Sequence, residues 1–214
     1  MSTGSSNHEG TSQELSLLQT LRLKGRATPN ALASATGIDE STVERLVEDA
    51  VAAERCTRSG QYVKVSPAGK ERLAELAAAE RASVDQARLE SLYEEFDPYN
   101  NDLKVLITDW QMKDANTPND HTDADYDSEI VSRLTALHES FLPWLGRLAE
   151  LNQRLAHYTA RFDTALDQVR SGDHTFIARP IADSYHTVWF ELHEELIGLL
   201  GRDRASEAAA GRAV

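Results

Sequence analysis

Cysteine is almost missing from this chain of 214 residues. Cys56 stands alone, so no intrachain disulfide can form, which fits a reducing compartment. The N-terminus has no apolar stretch of the kind a secretory signal needs. No apolar run approaches the roughly 20 residues that span a bilayer. The sequence therefore reads as a cytoplasmic protein with no membrane partner. Positive charge is also scarce: 22 Lys and Arg face 35 Asp and Glu, a net charge of -13. Such a chain does not coat nucleic acid or anionic lipid with its whole surface, although one face can still be locally basic. No Gly-rich phosphate loop is present and no Cys/His pair is credible, so no nucleophile or cofactor motif supports catalysis. The expectation is a protein that is not an enzyme and carries no cofactor.

Aromatic residues are unevenly spread. Residues 11–80 contain one, Tyr62, while all three Trp and six of the seven His lie beyond residue 109. This shift predicts two modules joined by a connector. The opening "MSTGSSNHEG" (residues 1–10) and the closing stretch 203–214 are polar or small-residue-rich and are expected to be disordered tails. No internal repeat is evident.

The first module is punctuated by caps and turns. Thr11 and Glu14 suggest a capping box ahead of "LSLLQTLRL". Thr28 followed by Pro29 suggests an N-cap with Pro at the first helical position, and Gly37 ends that short helix. Asp39 can cap a third helix whose Val43, Leu46, Val47 and Ala50 recur at helical spacing. "CTRSGQYVKVS" then alternates like a strand, with Ser59-Gly60 as a turn. Ser66-Pro67 opens a helix expected to run to Phe96, where Asp97-Pro98 should stop it.

The stretch "LASATGIDESTVERLVEDAVAAERCTRSGQYVKVSPAGKERL" resembles the winged helix-turn-helix of MarR-like bacterial transcription regulators, over about residues 14–76. Gly37, the Ser-Thr-Val that opens the third helix and "SPAGKERL" carry the likeness. The resemblance implies a third helix in the DNA major groove and a hairpin wing along the backbone. Winged helices also serve as protein-binding modules.

Charge leaves both uses open. Ser41, Thr42 and Arg45 suit base and phosphate contact, and Arg55, Arg58 and Lys64 of the wing could lie over phosphates. Glu40, Glu44, Glu48 and Asp49 share the third helix and oppose that use. Across residues 14–72, nine Lys and Arg meet eight Asp and Glu, so nearly all the negative charge lies elsewhere.

The second module reads as helical. Asn100 or Asn101 can cap "DLKVLITDWQMK", and residues 114–127 form an acidic loop with five Asp. A helix follows over about 128–141, with Pro143 a kink or a new start, and then one long amphipathic helix from Trp144 to Arg170. A last helix is expected from Pro180 to Gly201. It has two apolar stripes, Ile181/Tyr185/Val188/Leu192/Leu199 and Ala182/His186/Trp189/His193/Leu196, as expected of a helix buried on two sides. "NNDLKVLITDWQ", "NDHTDADYD" and "RPIADSYHTVWFELHEEL" resemble a helical domain of actinobacterial MarR-type regulators. Similar segments accompany pyruvate phosphate dikinase-like enzymes. Neither likeness carries a ligand across.

His186, Trp189 and His193 project from one helix face, with Asp183, Tyr185 and Arg179 nearby. Trp110, His121, Tyr126 and His138 are the other candidates for lining a ligand pocket, with "NDH" as a lid. Asn101, Lys104 and Arg179 could neutralise a carboxylate or phosphate on a ligand; surface ion pairing is the plainer use of such cations. A metal on His186 and His193 would need a third ligand from His121, His138 or Asp183, and imidazoles hydrogen-bonded within a bundle are favoured instead. "DADYDSE" resembles a calcium loop, but Ser128 and Leu134 replace the Gly and Glu that an EF-hand requires.

The expected architecture is mainly α: a winged helix of three helices and a two-stranded wing (11–76), a long connector helix (77–97) and a helical bundle (98–202). The expected function is transcription regulation, as a homodimer on double-stranded operator DNA, with the bundle sensing an unidentified small molecule or mediating dimerisation. The alternative is a winged-helix interaction module that regulates a partner enzyme without touching DNA.

Overall fold

A computed structural model describes residues 3–202 and 207, with side chains from residue 9 onward. The chain is mainly α, about 74% helix. It divides into two compact units, residues 1–83 and 84–214.

Unit 1 contains α1 (Thr3–Lys24), α2 (Pro29–Thr36), α3 (Glu40–Ala52), β1 (Cys56–Ser59), β2 (Tyr62–Val65) and α4 (Pro67–Ser83). Residues 3–10 belong to α1, so the N-terminal tail is helical from Thr3 and Thr11 lies inside the helix rather than at its cap. The later punctuation holds. Thr28 accepts the Ala31 amide, and Gly37 closes α2 in the left-handed region at φ 70°. Asp39 accepts the Thr42 amide to start α3. β1 and β2 pair antiparallel with Ser59 opposite Tyr62. Gly60 takes φ 58°, which a two-residue hairpin loop requires. The Ser66 hydroxyl accepts the Gly69 amide at 3.0 Å and donates to the Glu54 carbonyl, so one side chain starts α4 and ties it to the end of α3. The core gathers Leu17, Leu18, Leu21, Leu32, Val43, Val47, Val63 and Leu73, drawn from every helix and from β2.

Unit 2 contains α5 (Gln86–Gln111), a small hairpin of β3 (Met112–Asp114) and β4 (Thr117–Pro118), α6 (Ala124–Leu151), α7 (His157–Arg170) and α8 (Tyr185–Leu199). The expected connector is not one helix. α4 stops at Ser83, Asp85 caps α5 by accepting the Arg88 amide, and α5 runs straight through Pro98. Pro98 and Glu94, the residue four before it, are both exposed, so water can take the place of the missing amide donor. On the opposite side Tyr93, Phe96, Asn100 and Leu103 are buried and hold the helix through the proline. Asn100 is therefore an interior position, not a cap. Pro143 is exposed in the same way inside α6, which starts at Ala124 under the Asp123 cap and ends only at Leu151.

The long helix expected over 144–170 is broken at Asn152. Its side chain accepts the Arg154 amide, competing with the helical backbone, and a 3-10 turn over Gln153–Leu155 leads into α7. The last helix starts at Tyr185, capped by Ser184, and not at Pro180. Ile181, expected in a buried stripe, is wholly exposed (102%) with φ 70°. Ala182, also before the helix, and His186 are half-buried, while Tyr185, Val188, Trp189, Leu192, His193, Leu196 and Leu199 are buried as expected. Gly201, at φ 67°, ends α8, and the Arg202 amide reaches back to the Ile197 carbonyl at 3.0 Å. Of the expected C-terminal tail, residues 203–206 and 208–214 lie outside the described residues, while Glu207 is helical and buried. The core of this unit is aromatic: Phe96, Phe141, Trp144, Phe162, Tyr185 and Trp189 stack or tilt against one another at 4.5–6.4 Å.

Candidate functional site

In unit 1 the exposed surface of α3 and the β1–β2 hairpin carries five of the six residues singled out for DNA contact. Ser41 donates to the Asp39 carboxylate at 2.6 Å. Its hydroxyl, followed by Thr42, holds that carboxyl down at about 2. Both residues thus serve the helix start as well as the surface. Arg45 is exposed on the same helix. Arg58 of β1 reaches Glu44 of α3 at 3.3 Å, an exposed pair that water screens. Arg55 is diverted: it binds Glu14 of α1, which also takes Arg72 of α4 at 3.0 Å. One carboxylate therefore clamps the start of the hairpin and α4 onto α1.

Lys64 stays at the surface, in a cleft of about 220 Å³ lined by Arg26, Thr57, Ser59, Tyr62 and Val63. Arg26 lies over the Tyr62 ring at 4.8 Å. Sequence reasoning missed Arg26. It sits beside the hairpin because Ala27 pairs with Val63 through two backbone hydrogen bonds, at 3.1 and 2.8 Å. That bridge joins residues 36 apart in sequence, and no local pattern announces it.

In unit 2 the residues singled out for a ligand fall into separate polar centres. His121, at φ 56°, lies on Trp110 with ring centroids 4.2 Å apart, and its Nδ1 is 3.1 Å from the buried Asp127 carboxylate. Asn119 donates to both Asp127 and the Trp110 carbonyl. Tyr126 donates to the Asp109 carbonyl at 3.0 Å. The "NDH" segment thus fastens the loop between α5 and α6. His138 is buried between the Tyr185 hydroxyl, at 3.4 Å, and Asp163, at 3.1 Å; burial lowers its pKa, and Asp163 opposes the shift. Trp189 donates to Asn100 at 3.0 Å. His193 faces Tyr93, with Nε2 2.9 Å from the phenol oxygen. His186 is half-buried, which lowers its pKa. Asn101 and Arg179 are exposed and Lys104 half-buried, its pKa lowered by burial.

Asp183 meets Arg161 at 3.2 Å, and Arg161 meets Glu191 at 2.6 Å. Arg154 forks onto Glu195 at 2.9 and 2.7 Å. Burial opposes the Arg161 cation, but Glu191 leads the groups that outweigh it and raise its pKa. The sequence reading missed Arg154, Arg161, Glu191 and Glu195. A helical-wheel position at the edge of an apolar stripe was their only signal. Among the described residues no group of three or more His, Cys, Asp or Glu is placed to hold a metal ion. No helix among them is long and apolar enough to cross a membrane.

No protein-family model, curated protein or solved structure matches this chain.

Proposed function

We propose that unit 1 is a winged helix that binds double-stranded DNA, and that unit 2 senses a small molecule or mediates dimerisation in a cytoplasmic homodimeric transcription regulator. The observation that carries this reading is the element order of unit 1: α2, a glycine turn, α3, then an antiparallel hairpin. Arg45 on α3 and Arg26 with Lys64 on the hairpin side offer exposed cations for phosphates. A ligand in unit 2 acts on DNA binding only by favouring one arrangement of the protein over another.

The engagement of Arg55 with Glu14 and of Arg58 with Glu44 favours a second reading, in which the acidic α3 face serves a protein partner. Fluorescence anisotropy against DNA upstream of the gene and against scrambled DNA, over a salt series, separates the two. The DNA reading predicts specific, salt-sensitive binding. Arg45→Ala should weaken it about tenfold, and Arg26→Ala and Lys64→Ala should each lower the salt slope by about one. Equal weak binding to both DNAs would leave the partner reading.

A further inference from the structure

Beyond Arg202 the structure describes one residue, Glu207, and it is 1% exposed. Its carboxylate is met from two sides. The Tyr93 hydroxyl donates to Oε2 at 2.7 Å, and Arg202 Nη1 donates to Oε1 at 3.3 Å. The same guanidinium lies 5.1 Å over the Tyr93 ring, and its other terminal nitrogen is held by Glu90. Because the single phenol proton points to Glu207, the His193 Nε2 that lies 2.9 Å from the phenol oxygen is the donor in that contact. An imidazole N–H, a phenol O–H and a guanidinium thus line up toward one carboxylate from α8, α5 and the residue after Gly201. A buried carboxylate is tolerated only with such partners, and a donor set of this kind is what carboxylate recognition requires.

We propose that Tyr93, His193 and Arg202 form a binding site for a small monocarboxylate, which the chain's own Glu207 fills as an internal ligand. An amide fits the site less well than a carboxylate: it loses the charge that the Arg202 guanidinium meets, and its NH2 can face Tyr93 only if the phenol turns its proton to His193 and the imidazole changes tautomer. An occupant tethered by the chain acts at high effective concentration, so a free carboxylate competes weakly until Glu207 is removed or drawn away. The site deepens the sensory role proposed for unit 2 and rests on that reading for its biological use, while the binding itself needs no DNA.

Glu207→Ala removes the equivalent of one acetate and leaves the backbone a good helix former. The full-length variant and the wild type are melted in sodium acetate, in sodium chloride of equal ionic strength, and in acetamide. The variant is expected to gain about 2–4 °C in a saturable response to acetate alone. The wild type should respond to acetate no more than to chloride, and adding Tyr93→Phe to the variant should abolish the gain. A variant that treats acetate and chloride alike, or a gain that survives Tyr93→Phe, overturns the site. Glu207→Gln keeps the side chain's size and supplies a check that does not depend on the folding of the alanine variant. It should melt below the wild type, and an unchanged melting temperature also overturns the site. Acetate rescue without DNA binding would leave the site standing and remove the regulator; DNA binding without rescue would do the reverse.

Discussion

Arg161 and Glu191 lie 2.6 Å apart in the interior of unit 2, and Arg161 Nε has no acceptor there. Glu191 is only 3% exposed. A buried ion pair contributes little net stability, but losing one partner strands the other charge. Arg161→Met should therefore cost about 3–5 kcal/mol in urea unfolding, and adding Glu191→Met should recover at least half of that. A double variant no more stable than the single one would show that the pair is not the unit that matters. Sequence alone marks both residues as ordinary charged positions on amphipathic helices. Their partners lie 30 residues away, a separation that no local spacing rule reaches. The same holds for Glu14, which meets Arg55 and Arg72 across 41 and 58 residues. Asp39 is different: it acts on an amide three residues along, and the order of residue types is enough to reveal it. Ser184 caps α8 at the same spacing, but Pro180 upstream drew the expected start of that helix away from it.

Helices end where a side chain or a glycine satisfies the backbone, and they continue where burial outweighs a poor residue. The caps at Thr28 and Asp39 and the turns at Gly37 and Gly60 depend on nearest neighbours, so they were legible. Pro98 and Pro143 were misleading because their cost depends on which side of the helix they occupy, and tertiary contact decides that. Two helical glycines make the dependence testable. A Cβ on Gly69 would collide with the Arg55 backbone carbonyl, whereas a Cβ on Gly146 meets nothing within 4 Å. Gly69→Ala should cost about 3 kcal/mol through overpacking, while Gly146→Ala should stabilise by about 0.5–1 kcal/mol through helix propensity. Chemical denaturation of the two variants checks both signs, and similar effects would refute the close approach of α4 to the turn after α3.

At the scale of the molecule, a histidine held neutral inside unit 2 makes stability depend on pH. His157 donates Nδ1–H to the Arg154 carbonyl at 2.8 Å, since a carbonyl can only accept. Burial, then the Arg161 cation, lowers its pKa from 6.5 to about 4. Folding therefore favours the neutral imidazole. Its contribution is complete above about 6.5 and is lost as pH falls toward about 4. His157→Asn keeps a donor for Arg154 but does not titrate. Between pH 6.5 and 4 the wild type should lose stability more steeply than this variant, measured by urea unfolding at several pH values. Parallel curves would mean that His157 is not held neutral.

Composition and local order by themselves determined a mainly helical chain, the absence of an intrachain disulfide, the caps of α2, α3 and α4, the turns of unit 1 and the two-sided burial of α8. These follow from side-chain chemistry acting over a few residues. The tertiary structure decided that the six proposed DNA contacts are unequal, with Arg55 spent on Glu14 and Arg26 brought to the hairpin. It also decided that the proposed ligand residues divide among several polar centres, and that Glu207 is buried against Tyr93. Charge pairing and burial act through space, and only the folded chain fixes which distant groups meet.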